Sequence, residues 1–398
     1  MIPINQFKGH DYQLISGNKL DILFTSKTFP VFSSPVINFF DAISRQCLPL
    51  CKREDLRPFS AFFFYIRSKN LKKLFQESSY SHSSVGLGLS LNISPSNVPL
   101  NSLYSLLFTL LSGSPCVLRI SQITISALGE FFPIIDSIYT NYRDSIPAYS
   151  IISYPRSSPL TSLISELCSS RVVWGGDSTA TQIRKLPCPP GCKDIFFPNR
   201  QSCAIVNLKA LCSAQYPDDI LSRFAKDIAM FSQQACSSPL HIFFVDSSRD
   251  DIHSIYKFFE SLDRSISSLE TKFYSPKECL ESALSLNLAF TSLTPLYSGR
   301  YLRTCYTNTS DTHDVLAPNR KHGNLTFSLE GSIDNLKFNY HYQTIVFLPY
   351  PDHQSRQIFF DKYYHSFDRL VRPGQAIDMH LHWDGHDIIR TISRQVFF

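Results

Sequence analysis

Residues 85–121 read VGLGLSLNISPSNVPLNSLYSLLFTLLSGSPCVLRIS. An apolar, strand-like run from Val85 to Ile93 meets a turn stiffened by Pro95 and Pro99. A twelve-residue apolar stretch, Leu100 to Leu111, is long enough for a helix. Gly113 and Pro115 end it, and Cys116 to Ile120 forms a second short apolar run. Strand, helix, strand within so short a span predicts one parallel βαβ unit. The pattern continues outward, with strand-like segments at Arg171 to Trp174, Cys203 to Val206 and His241 to Val245. Helix-like segments lie at Ile123 to Tyr139, Pro217 to Met230 and Asp251 to Leu262. Alternation of this kind predicts an α/β fold with mainly parallel sheet. It runs twice, restarting near Asn207, and gives way from Thr344 to short strand-like pieces and turns. The predicted layout is residues 1–206 as a first α/β domain, 207–365 as a second, and 366–398 as a returning tail.

The chain has 398 residues, 43% hydrophobic and 18% charged, with a net charge of +5. That composition belongs to a globular protein with large cores. The basic residues are scattered. Their densest cluster, Arg67 to Lys73, reads as a solvated helix face, so a nucleic-acid-binding role is not expected. A mild positive excess suits an anionic small ligand. Eleven cysteines, an odd number, and an amino terminus without a basic-then-apolar leader predict free thiols in a reducing cytoplasm. No apolar run approaches the ~20 residues of a membrane span.

Four motifs carry chemistry. In Ser94-Pro-Ser-Asn-Val-Pro99, Asn97 either caps the following helix or offers its amide to a developing oxyanion. Arg119 and Ser121 end the strand Cys116 to Ile120, where an open α/β sheet binds a nucleotide's ribose or phosphate, although a surface arginine would look the same. In Val173-Trp-Gly-Gly-Asp177, Gly175 and Gly176 form a simple turn or let backbone approach an anion at a helix start. No GxGxxG fingerprint occurs, which disfavours a standard Rossmann dehydrogenase. In Phe231-Ser-Gln-Gln-Ala-Cys-Ser-Ser-Pro239, a thiol sits among small residues between a helix and an apolar strand. Two further clusters read as structure rather than metal sites. His380, His382, Asp384 and His386 surround a Trp-Asp-Gly turn, and Cys47/Cys51 and Cys188/Cys192 have C-x3-C spacing.

The order and separation of these motifs resemble the acyl-CoA reductases of bacterial bioluminescence (LuxC-like), a branch of the aldehyde dehydrogenase superfamily. The tail is similar too, in Asp368-Arg-Leu-Val-Arg-Pro-Gly-Gln-Ala376, Trp383-Asp-Gly385 and Ser393-Arg394. The resemblance covers roughly residues 57–398 and implies two Rossmann-like α/β domains with the active site in the interdomain cleft. It implies Cys236 as nucleophile, with Gln234 two positions before it. Asn97 would be the oxyanion donor, with the Cys236 backbone N–H as its partner. It also implies NADPH as cofactor, bound through Arg119, Ser121, Gly175 and Gly176, with Arg119 able to pair bidentately with the 2′-phosphate. One departure bears on direction. Oxidising relatives carry a water-activating Glu, and in the matching stretch Ile195 to Ile205 the position falls on Phe197. Without a general base, water attack on an acyl-enzyme is slow.

The implied activity is NADPH-dependent reduction of an acyl thioester to an aldehyde through an acyl-Cys236 intermediate. The donor would be acyl-CoA or an acyl group on a partner synthetase, and the enzyme would be a homo-oligomer. The competing readings are an oxidising or CoA-acylating aldehyde dehydrogenase, and a non-catalytic acyl-carrying scaffold.

Overall fold

The computed structural model describes residues 10–80, 83–215, 217–269, 277–278, 280–282, 284, 294–307, 322–338, 341–378 and 380–397. Cys279, residues 81–82 and the amino-terminal residues that bear on a leader lie outside them. The chain divides into two units, residues 1–199 with 379–398, and residues 200–378.

The strands of the first part of the chain are β1 Gln13–Gly17, β2 Ser84–Gly86, β3 Ser90–Ile93, β4 Cys116–Arg119, β5 Tyr149–Ser153, β6 Ser170–Trp174 and β7 Lys193–Phe197. Then come β8 Ser202–Val206, β9 Pro239–Val245, β10 Thr294–Ser298, β11 Arg303–Tyr306, β12 Asn324–Glu330, β13 Tyr342–Leu348 and β14 Phe367–Val371. Short strands β15 His382–Trp383, β16 His386–Asp387 and β17 Ser393–Gln395 close the chain.

The first unit holds a six-stranded sheet ordered β1-β5-β4-β3-β6-β7. All its pairings are parallel except β1 with β5. The order runs outward from β3 in one direction and then resumes at β6 in the other, so the strand order reverses between β3 and β6. Open α/β sheets bind ligands at the carboxyl ends of the strands flanking such a reversal. The helix Leu100–Leu111, buried at every position but Asn101, is apolar all round and sits inside this unit. Aromatic rings close the packing edge to face, as in Phe62 against Tyr104 at 4.9 Å.

Two expectations are corrected here. The run Val85 to Ile93 is not one strand. It breaks at Gly88, whose φ of 143° and lack of a Cβ let it pass Ser169, and β2 leaves the sheet to pair with β17. The helix expected over Ile123 to Tyr139 is two, Gln122–Leu128 and Phe132–Tyr139. Gly129 follows the first, and Pro133 starts the second in the position where a missing N–H costs nothing.

The second unit holds a seven-stranded sheet ordered β10-β11-β12-β9-β8-β13-β14. It is parallel except for β10 with β11. Strands β8 and β13 are buried throughout and β9 at all but Leu240, which fits parallel strands covered on both faces. The units meet the chain at Asn199/Arg200, seven residues before the expected boundary, because β8 joins β9 and β13. Strand β14 likewise joins β13, so the part of the tail that returns to the first unit begins at residue 379, not 366. Among the described residues no helix is long and apolar enough to cross a membrane.

The tail motif 372–376 has a structural task. Asp227, in the helix Pro217–Ala229, accepts hydrogen bonds from Gly374 N at 2.6 Å and Ala376 N at 2.9 Å. Gly374 makes the turn with φ 86°. Burial pushes the Asp227 carboxyl up from 3.8 to about 7, against the pull of the two N–H donors. The folded state therefore holds a proton that the unfolded chain releases between about pH 4 and 7. This contribution to stability is full below the unfolded value and is lost as the pH rises through about 7. The difference amounts to on the order of 4 kcal/mol. Asp227→Asn should flatten that fall. Urea unfolding at pH 5 and pH 8 checks it, and an unchanged pH slope would refute it.

Candidate active site

The sequence motifs gather at two sheet edges. In the first unit, the turns after β3, β4 and β6 lie side by side, since Ile93 is in register with both Arg119 and Val173. Asn97 is exposed on the turn after β3. The residue before the helix Leu100–Leu111 is Pro99, with no side-chain cap bond.

Arg119 ends β4, half-buried. Its Nη2 donates to Tyr154 O at 3.2 Å, and its guanidinium lies 5.5 Å from the Tyr154 ring centroid. Among the described residues no carboxylate pairs with it. Burial, opposed by Tyr154 and reinforced by Arg156, lowers its pKa. Arg156, exposed just beyond β5, is thus a second cation at the same edge. Ser121 caps the helix Gln122–Leu128 by accepting from Thr124 N at 3.2 Å. Gly175 and Gly176 follow β6, and Gly176 is the N-cap of the helix Asp177–Arg184. Next to them Trp174 is buried with its Nε1 unpartnered among the described residues. Its ring stacks on Phe197 with centroids 3.9 Å apart. Phe197 is 4% exposed, so a buried ring occupies the position where a water-activating carboxylate was sought.

In the second unit, Cys236 lies at the amino edge of the sheet, beside the starts of β8, β9 and β13. The chain enters this turn through three consecutive left-handed residues, Phe231 (φ 52°), Ser232 (φ 55°) and Gln233 (φ 58°). Each costs roughly 1–2 kcal/mol in an L-residue, so the loop persists only because its surroundings fix it. Gln233, 1% exposed, supplies that fixing. Its Nε2 donates to Pro239 O at 2.9 Å and its Oε1 accepts from Gly323 N at 2.9 Å. Ser232 O accepts from His322 N at 3.1 Å. The carbonyl of Cys236 accepts from Ser202 Oγ at 2.8 Å, and Ser202 Oγ accepts from Thr344 N at 3.1 Å. The thiol itself accepts from Gln343 Nε2 at 3.3 Å.

Four of the other thiols differ. Burial pushes Cys47 up to about 12, Cys51 to about 11 and Cys116 to about 12, and Cys203 well above its ordinary value. Buried thiols of this kind are inert. Cys236 is half-buried and polar-contacted. Gln234, singled out by sequence, is half-buried with its N donating to Phe231 O at 2.9 Å. The interior amide is its neighbour Gln233. Sequence reading does not single out Gln343, Ser202, Gln233 or Arg156. Only the Gln233-Gln234 doublet hints at one of them.

His382 and Trp383 pair with Asp387 and His386 across a tight hairpin with Asp384 (φ 50°) and Gly385 (φ 74°) at its tip. Among the described residues no group of three or more His, Cys, Asp or Glu is placed to hold a metal ion.

The fold is similar to that of solved aldehyde dehydrogenases. Glyceraldehyde-3-phosphate dehydrogenase GapN from Methanocaldococcus jannaschii, complexed with NADP, is 13% identical with a TM-score of 0.63, over 91% of this chain and 88% of that one. An NAD-dependent aldehyde dehydrogenase from Sinorhizobium meliloti is 11% identical with a TM-score of 0.67, over 91% and 81%. NADP-dependent glyceraldehyde-3-phosphate dehydrogenase from Bacillus halodurans, complexed with NADP, is 12% identical with a TM-score of 0.62, over 91% and 85%. No match was found among curated proteins. The acyl-CoA reductase (LuxC) family model matches residues 28–285, which include β3, β4, β6 and the Cys236 turn but stop short of the tail motifs. That span is more than half of the chain, and the chain belongs to the acyl-CoA reductase (LuxC) family.

Proposed function

We propose that this protein reduces an acyl thioester, carried by CoA or by a partner protein, to an aldehyde through an acyl-Cys236 intermediate with NADPH as reductant. The observation that carries the reading is the seat of Cys236, a half-buried thiol on a strained loop with the Gln343 amide aimed at its sulfur.

The Cys236 thiolate attacks the thioester carbonyl, a new C–S bond forms, and the carrier thiolate leaves. One thioester replaces another, so the exchange is nearly balanced. The Asn97 amide and the Cys236 backbone N–H hold the oxyanion of each tetrahedral species. A bound reduced nicotinamide supplies the hydride. Collapse releases the aldehyde and regenerates the thiolate, which Gln343 then receives again. Buried Phe197 offers no base to activate water, which supports reduction over hydrolysis to the acid.

The first sheet's carboxyl edge fits such a cofactor. Arg119 has no carboxylate partner among the described residues, Arg156 adds a second cation, and the helix starting at Asp177 presents backbone N–H groups beside Gly175 and Gly176. Arg119 and Arg156 would hold the 2′-phosphate. Arg119→Ala should raise the KM for NADPH about tenfold or more, the equivalent of ~1.4 kcal/mol, and leave that for NADH nearly unchanged. Initial rates with both cofactors check this, and a retained preference for NADPH would sink the assignment.

The reading as a whole is tested by following nicotinamide oxidation with acyl-CoAs of graded chain length and analysing the product. Aldehyde formation supports it. Formation of acid, or of acyl-CoA from aldehyde and CoA as the favoured direction, would replace it with an aldehyde dehydrogenase.

A further inference from the structure

The pair Cys188-Pro-Pro-Gly-Cys192 has no part in the reductase reading, yet the fold brings a third thiol to it. Cys168 precedes β6 and Cys192 precedes β7, and these strands are paired with Ser170 opposite Lys193. The two sulfurs lie 3.9 Å apart. Cys168 is fully buried with its sulfur 3.3 Å from Ser165 O, Cys192 is half-buried, and Cys188 is exposed. Beside them lies Arg171, 2% exposed, whose Nε and Nη2 both reach Asp194 at 2.6 Å. Its Nη1 donates to Ser165 Oγ, Ile183 O and Leu186 O. The guanidinium is locked, so a fixed Arg171–Asp194 ion pair stands by the thiols.

We propose that Cys168 and Cys192 are a redox-active pair that a hydroperoxide converts into a reversible disulfide. Cys192 is the peroxide-reactive member. The hydrogen bond shared with Cys168, the charge of Arg171 and a contact from Cys188 lower its pKa, against burial and the Asp194 carboxylate, and it is partly exposed. Its thiolate attacks one peroxide oxygen. An S–O bond forms, the O–O bond breaks, and the alkoxide or hydroxide released takes a proton from solvent to leave as alcohol or water. Cys192 is oxidised to the sulfenic acid and the peroxide is reduced. Cys168 sulfur then displaces hydroxide, which takes up the Cys168 proton and leaves as water, and the S–S bond forms. Closing from 3.9 Å to a bond of ~2.05 Å needs only local movement. A dithiol reductant reverses the reaction. This pair is independent of Cys236 and of the activity proposed above.

The test is thiol mapping of the full chain before and after hydrogen peroxide, with alkylation under denaturing conditions and tryptic digestion. Cys168 falls in peptide 157–171, and Cys188 and Cys192 in peptide 186–193. The expected product joins the two peptides, two hydrogens lighter than their sum, with Cys188 alkylated and the link lost on adding dithiothreitol. A Cys188→Ser protein should form the same link, and Cys192→Ser should leave Cys168 fully alkylatable. The proposal is overturned if peroxide leaves Cys168 alkylatable in the unmodified protein, if fragmentation joins Cys192 to Cys188, or if the Cys188→Ser protein forms no link.

Discussion

Replacing Cys236 by alanine is expected to abolish both acyl transfer and thioester-dependent nicotinamide oxidation. Removing a nucleophilic side chain from a site of this kind costs on the order of 10⁶ in kcat. What remains would be reduction without a covalent intermediate. The loss should be chemical and not structural. Cys236 is half-buried, and the turn is fixed by Gln233 and Ser202, neither of which depends on the thiol. Two measurements decide the matter. A labelled acyl-CoA should label the unmodified protein and not the variant, while both unfold at the same denaturant concentration. Turnover in the variant within about tenfold of the original would remove Cys236 from the mechanism. Labelling without reduction in the unmodified protein would favour the acyl-carrying scaffold.

Asn97→Ala should lower kcat by about 10²–10³, or ~2.7–4 kcal/mol of transition-state stabilisation, the usual loss when one oxyanion donor is removed. KM should change little, because the charge that Asn97 is proposed to meet exists only in the tetrahedral species. The side chain is exposed, so stability should move little. Asn97→Asp should be worse than alanine, since it sets a negative charge against the oxyanion. Steady-state kinetics of the two variants provide the check. A kcat within about threefold of the original for Asn97→Ala, or an equal KM effect, would assign Asn97 to the turn and not to catalysis.

Much of this could be read from the chain because the physics is local. The helix Leu100–Leu111 and strands β4, β6, β8 and β9 announce themselves as apolar runs of the right length between Pro and Gly signals. Strand β12 carries an alternating Asn-Leu-Thr-Phe-Ser-Leu-Glu pattern, but seven residues of alternation do not say which sheet they join. Strand β13 read only as one of the short strand-like pieces from Thr344 onward, whereas it is seven residues long, buried throughout and paired between β8 and β14. The Cys236 turn was legible as small residues around a thiol. Its supports were not. Gln343 acts through one hydrogen bond across 107 residues, and Ser202 through one across 34. Neither leaves a period or a local motif, since a single glutamine or serine at the start of a strand looks like any other. The left-handed backbone at Phe231, Ser232 and Gln233 was equally hidden, because sequence signals that conformation chiefly through glycine, and none is present.

The pairing of β17 with β2 has a consequence for how the protein is made. Residues 393–395 leave the ribosome after all of residues 200–378, so the second unit is complete, and free to fold, while the first still lacks a strand. Domains usually close in the order of their synthesis. Here the earlier unit waits for the later one, and β2 spends translation with an edge exposed. A nascent chain arrested before residue 393 would therefore carry a finished second unit and an open first one, a state to which chaperones that shield unpaired strands would be directed.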